Sequence, residues 1–116
     1  MIVGIGVDVV DLARFERAVA RTPRLVERLF APSERGLPVP SLAGRFAAKE
    51  ALIKALGDSA GAGWHDMVIT RDEHKNPSFE LHGRARAAAA ERGIARIHLS
   101  MTHDAGVACA FVVAES

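Results

Sequence analysis

Hydrophobic positions along this 116-residue chain fall into runs that alternate between strand and helix periods. From Ile2 to Val10 nearly every residue is apolar or glycine, and β-branched residues dominate, which predicts a strand buried on both faces. Gly4 and Gly6 leave one of those faces without side chains, so something can approach the backbone there. Asp11 suits the N-cap of a helix running to about Arg21, with Leu12, Phe15 and Val19 on one side. A second helix is expected from Pro23 to about Phe30, with Pro23 at a favourable early position. Pro32, Gly36, Pro38 and Pro40 then make Ala31 to Ser41 a loop.

The stretch from Arg45 to Leu56 holds no Pro or Gly and is rich in Ala, Leu, Lys and Glu. It predicts a central helix, capped by Ser41 and stopped by Gly57. Leu42, Phe46, Leu52, Ile53 and Leu56 form one bulky arc, while Glu50 and Lys54 fall elsewhere, flanked by Ala43, Ala47 and Ala51. Small side chains around one carboxylate and one ammonium invite close approach by a backbone or a ligand. Gly57 to Gly63 is a Gly/Ala/Ser loop that could admit a phosphate, but it lacks a Gly-Lys-Ser/Thr ending. Met67–Arg71 and Ser78–His82 predict a hairpin turning at Asp72 to Pro77, and Gly83–Arg92 a helix ended by Gly93. Two further strands, Ala95–Thr102 and Val107–Val113, meet at His103 to Gly106. His98, Ser100 and Thr102 share one face of the first, with Ile97, Leu99 and Met101 on the other. The second is apolar on both faces and needs cover on both, from helices or another subunit.

Composition narrows the setting. One domain spanning 1–116 is the natural reading of this length. With 49% hydrophobic residues but only 5% aromatics and no Tyr, the core must be built from aliphatic side chains and alanine. A net charge of +1 gives no global field toward nucleic acid or membrane. The single cysteine, Cys109, excludes an internal disulfide and fits a reducing cytosol. Neither a targeting segment nor a membrane-length apolar run is evident, so a cytoplasmic location is expected.

The polar residues set inside apolar elements carry the candidate chemistry: Asp8, Glu50, Lys54 and the Ser100/Thr102/His103 group. Two carboxylates from separate elements suit a hard divalent cation, Mg²⁺ or Mn²⁺, completed by water and phosphate oxygens. A lysine beside them would neutralise a diphosphate, and a histidine would hydrogen-bond a phosphate or carry a proton. Zinc is disfavoured by one Cys and five scattered His, and a serine hydrolase by the lack of a Gly-x-Ser-x-Gly elbow. Arg14, Arg17 and Arg21, at i, i+3 and i+7, form a basic stripe that Arg24 and Arg28 continue. A solvated face is its ordinary meaning; docking of an acidic helical partner is the other. From the residues alone, the reading stops at metal-assisted phosphate chemistry.

Three segments together resemble a known family. Gly4-Ile5-Gly6-Val7-Asp8 through Phe15, Arg45-Phe46-Ala47-Ala48-Lys49-Glu50-Ala51 through Leu56, and His98-x-Ser100-Met101-Thr102-His103-Asp104 look like the motifs of holo-acyl-carrier-protein synthase, the small bacterial class of 4′-phosphopantetheinyl transferase. The resemblance implies an α+β fold with an antiparallel sheet packed against a long central helix, assembled as a homotrimer with sites at the subunit interfaces. It implies transfer of 4′-phosphopantetheine from coenzyme A to a serine of an apo acyl carrier protein, releasing adenosine 3′,5′-bisphosphate. By analogy Asp8 and Glu50 hold Mg²⁺, Lys54 contacts the phosphate, and Arg45 and His103 lie near the nucleotide. Arg14, with Arg17 and Arg21, would grip the carrier. Asp11 stands where the family usually has Glu, and Asn76 where Gly often precedes the matching Pro77, a position for which Asn tolerates positive φ. The loop from Pro32 to Ser41 is shorter than in many members.

Overall fold

The computed structural model describes residues 1–57 and 63–116. Residues 58–62, most of the loop considered above as a phosphate cradle, lie outside the described part. In chain order the elements are β1 (Ile2–Asp11), α1 (Leu12–Arg21), α2 (Leu25–Leu29), α3 (Val39–Leu56), a 3₁₀ turn (Trp64–Asp66), β2 (Met67–Arg71), β3 (Pro77–Leu81), α4 (Gly83–Glu91), β4 (Arg96–Asp104) and β5 (Val107–Glu115). Among these, β1, β5 and β4 form an antiparallel sheet in that order, and β2 and β3 a separate hairpin. The fold is therefore α+β, with α3 laid across one face of the three-stranded sheet.

Why α3 can lie so close follows from residue size. Asp8 pairs with Ala110, Val10 with Ala108 and Gly6 with Val112, so Gly4, Gly6, Asp8 and Val10 share a face with Ala108, Ala110, Val112 and Ala114. The four β5 residues are almost wholly buried, as are Ala47, Ala51 and Ala55 of α3. A methyl at Gly6 would overlap the Ala51 carbonyl oxygen, and one at Gly4 that of Ala55. The backbone that the two glycines admit is thus that of α3. Arg92 fastens the same seam, donating to Ala55 O at 2.8 Å and Val3 O at 2.7 Å.

Several expectations are corrected. β1 is covered on one face only: on the other, Ile5 and Val9 are 60% exposed, Val7 47%, and Phe111 beside them 46%. α3 starts at Val39 rather than after a Ser41 cap, with Pro38 at its N-cap and Pro40 within its first turn, where a missing N–H costs nothing. Ser41 is therefore helical and caps nothing. α2 is confined to Leu25–Leu29, leaving Pro23 in the preceding turn. In the β2–β3 turn the positive φ, 65°, falls on Lys75 and not on Asn76. The β4–β5 turn places Ala105 and Gly106 at φ 51° and 81°, the paired left-handed residues of a type I′ hairpin. Alternation along β4 and the Asp11 cap, whose Oδ1 accepts from Arg14 N at 2.8 Å, are as expected.

Candidate active site

Asp8 reaches the site because its strand faces α3 there and the glycines beside it let the helix close. One turn of α3 presents Glu50 and Lys54 to it. Lys54 Nζ donates to Val7 O at 2.9 Å and to Asp8 Oδ1 at 3.3 Å, with Asp8 mostly shielded and Lys54 half exposed. Burial holds the Glu50 carboxyl above its ordinary range; the Asp8 charge pushes the same way, and Lys54 pulls back. Asp8 and Glu50 both line a cleft of about 570 Å³. Its remaining walls come from Val9 to Asp11 of β1, Arg14, Phe15 and Ala18 of α1, Leu25, Arg28 and Leu29 of α2, Phe46 of α3, and Trp64. Phe15, Phe46 and Trp64 form a chain of tilted rings, with centroids 5.6 Å apart at each step. The cleft is thus apolar within, acidic at one end, and rimmed by Arg14 and Arg28.

This donor set fits a hard divalent cation. Two like-charged carboxylates converge on one cleft, and the proton affinity of Glu50 is raised partly by that repulsion, which a cation would relieve. Among the described residues no cluster of three or more His, Cys, Asp or Glu is poised to hold a metal. The arrangement therefore suits an ion that keeps most positions for water and phosphate rather than a zinc site closed by protein ligands.

The other sequence candidates divide. Asp8, Glu50 and Lys54 come together, and Arg14 joins them at the cleft rim. Arg17 and Arg21 are exposed on the same helix, and no ion pair among the described residues engages them. His103 lies on the same sheet face as Asp8 but across β5 and two residues along, about 12 Å away by strand geometry, outside the cleft lining. Arg45 turns inward: its NH1 donates to Ile69 O at 2.7 Å, and its side chain is only 11% exposed. Rather than reaching toward the cleft, it braces β2.

What sequence reasoning missed is a buried ion pair behind the cleft. Glu34, from the segment read as surface loop, is 1% exposed and accepts from Lys49 Nζ at 2.8 Å, Ala31 N at 3.1 Å and Ile69 N at 3.3 Å. Lys49 is wholly buried, and burial pushes its ammonium below the ordinary lysine value against the pull of Glu34. A signal was available. Lys49 sits in the middle of the bulky arc of α3, between Leu56 and Leu42 around the wheel, where a lysine demands a buried partner.

Known proteins share this fold. The family model described as the 4′-phosphopantetheinyl transferase superfamily matches residues 4–112. A holo-[acyl-carrier-protein] synthase of Leifsonia xyli subsp. xyli is 67% identical over 115 residues, covering 99% of this chain and 98% of that one. The crystal structure of holo-[acyl-carrier-protein] synthase from Neisseria meningitidis superposes with a TM-score of 0.92 at 38% identity, covering 100% of both chains. The Helicobacter pylori holo-[acyl-carrier-protein] synthase, solved in complex with coenzyme A, gives a TM-score of 0.85 at 35% identity, covering 96% of this chain and 99% of that one.

Proposed function

The chain belongs to the 4′-phosphopantetheinyl transferase superfamily, among its holo-[acyl-carrier-protein] synthases, and we propose that it transfers 4′-phosphopantetheine from coenzyme A to a serine of an acyl carrier protein in a Mg²⁺-dependent reaction that releases adenosine 3′,5′-bisphosphate. The observation that carries this reading is the convergence of Asp8 and Glu50 at one end of an arginine-rimmed cleft, with Lys54 bonded to Asp8 beside it. Asp8 and Glu50 would hold the cation, which when bound would neutralise charge on the diphosphate of coenzyme A.

Lys54, half exposed beside Asp8, faces the position where negative charge grows as the diphosphate breaks. The serine oxygen bonds to the phosphorus that bears pantetheine, and the bond from that phosphorus to the bridging oxygen breaks. Adenosine 3′,5′-bisphosphate leaves with the bridging oxygen. Glu50, or a water held by the carboxylates, takes the serine proton. Arg14, Arg17 and Arg21 bind an acidic helix of the carrier, and the apolar cleft receives the side chains beside its serine.

The face bearing Ile5, Val7, Val9 and Phe111 packs against further copies of the chain in a homotrimer, with His103 contributing near the nucleotide at the subunit boundary. The absence of any described helix long and apolar enough to cross a membrane is in keeping with action in the cytoplasm. Light scattering at trimer mass checks the assembly; a monomer refutes it.

Intact mass of an apo carrier protein after incubation with this protein, coenzyme A and Mg²⁺, with an EDTA control, tests the reaction. A metal-dependent gain of one phosphopantetheine group is expected. Phosphate release from coenzyme A without that gain would indicate a Mg²⁺-dependent phosphohydrolase. Carrier binding without either signal would indicate a non-catalytic docking module.

A further inference from the structure

Lys49 precedes Glu50 on α3 but points away from the cleft, into the protein. Its three N–H bonds are all committed: to Leu29 O at 2.7 Å, Glu34 Oε1 at 2.8 Å and Trp64 O at 3.1 Å. Its ammonium also lies 4.9 Å from the centre of the Phe30 ring. Two of its three acceptors, Leu29 and Trp64, are residues of the cleft wall. The same wall holds Leu25 and Arg28, so most of α2 is cleft surface.

A five-residue helix cannot sustain itself, and its last carbonyls have no partner within the helix. Here side chains from outside take them up. Besides Lys49 on Leu29, Arg35 NH2 donates to Glu27 O at 3.2 Å and its Nε to Phe30 O at 3.0 Å. His65, next to Trp64, approaches the same Glu27 O through Nε2 at 2.6 Å; a carbonyl can only accept, so Nε2 carries the proton. Lys49 and His65 tie α2 to α3 and to the 3₁₀ turn that carries Trp64, while Arg35 closes its C-terminal end. None of them lines the cleft.

We propose that Lys49, with Arg35 and His65, forms a positioning set that fixes α2 against Trp64 and thereby sets the affinity of the cleft for the carrier protein. The proposal rests on the reading that the cleft receives the carrier. Arg28 and Arg24 travel with α2, so a displaced α2 moves part of the basic surface as well as the apolar wall. The coenzyme A end, at Asp8 and Lys54, is held independently by β1 and α3.

The protein offers its own probe, because Trp64 is the only tryptophan and there is no tyrosine. His65→Ala removes an exposed ring and should leave the fold intact. It is expected to raise KM for the carrier about fivefold with kcat within about twofold and KM for coenzyme A unchanged, the pattern of lost uniform binding. Without any substrate, Trp64 emission should move to longer wavelength and become easier to quench with acrylamide. His65→Gln, which restores an N–H donor, should recover much of both. Lys49→Met should act more strongly in the same direction; if it does not fold, His65→Ala decides alone. Wild-type carrier KM and unchanged Trp64 emission in His65→Ala would overturn the proposal, as would a fall in kcat at constant KM. If the parent transfers nothing, the functional reading fails, yet substrate-free Trp64 emission still decides the tether: no change in His65→Ala overturns it.

Discussion

Replacing Gly6 with alanine asks whether the contact between β1 and α3 sets the active geometry. The added methyl would overlap the Ala51 carbonyl oxygen, 2.8 Å from its carbon and 2.9 Å from Ala55 N. Relaxed contacts between such atoms lie near 3.5–4.0 Å, so α3 must retreat from β1 by at least about 1 Å. Every obstructing atom is backbone, so no rotamer change relieves the clash. Overpacking costs about 1–3 kcal/mol where side chains can yield, and Gly6→Ala should reach or exceed the top of that range. The retreat also draws Glu50 and Lys54, on α3, away from Asp8, on β1. A misplacement of about 1 Å can cost on the order of 100-fold in rate, so kcat should fall by that order in whatever fraction stays folded. Urea unfolding at fixed protein concentration gives the stability, and the intact-mass assay the rate. Gly44→Ala is the control, since a methyl there meets nothing within 4 Å. In the interior of α3 it should stabilise by about 0.5–1 kcal/mol and leave turnover alone. A Gly6→Ala protein with the parent's midpoint and rate would refute the reasoning.

Other variants probe separate links. Glu50→Gln should abolish transfer while raising the urea midpoint of chelator-treated protein at neutral pH; retained turnover would remove Glu50 as base. The sign follows from its raised carboxyl. The folded chain holds that proton more tightly, so stability falls as pH rises from about 4.5, the unfolded value, through the folded one, and the variant's advantage should vanish below 4.5. Arg17→Glu should raise the carrier's KM about five- to tenfold at low salt, with a smaller effect at high salt; equal effects at both would argue against an electrostatic dock. Ala105→Asn places a residue that tolerates φ near 51° in the type I′ turn, and should gain about 0.5–1 kcal/mol, read as a melting point a few degrees higher. An unchanged or lower melting point would count against a strained turn.

The legible parts of this chain are those whose cause is local. Alternation along β4, the Asp11 cap, the stop at Gly57 and the existence of both hairpins each depend on a few neighbouring residues. Gly4 and Gly6 announced a close approach, and Glu50 and Lys54 among alanines announced where. The start of α3 was misplaced because Pro38 and Pro40 act as breakers in most contexts and as helix openers only when a helix follows. Glu34 was invisible because nothing around it in the sequence is apolar enough to predict burial; its partners, Lys49 and Ile69 N, are 15 and 35 residues away. Lys49 itself could have been found, since its place on the wheel contradicts its charge. The open face of β1 escaped notice because cover from a second copy and cover from within the chain select the same residues.

The sheet order also bears on synthesis. β1 lies beside β5, so residues 2–11 have no strand to pair with until 107–115 have been made. At about 5–20 residues per second, that is a wait of roughly 5–20 s during which an apolar, β-branched segment has left the ribosome unpaired. α3, complete by residue 56, appears about halfway through, and the glycine face of β1 is among the surfaces it can cover meanwhile. The seam that holds Asp8 against Glu50 in the finished protein is, on this timetable, also among the earliest long-range contacts open to the nascent chain.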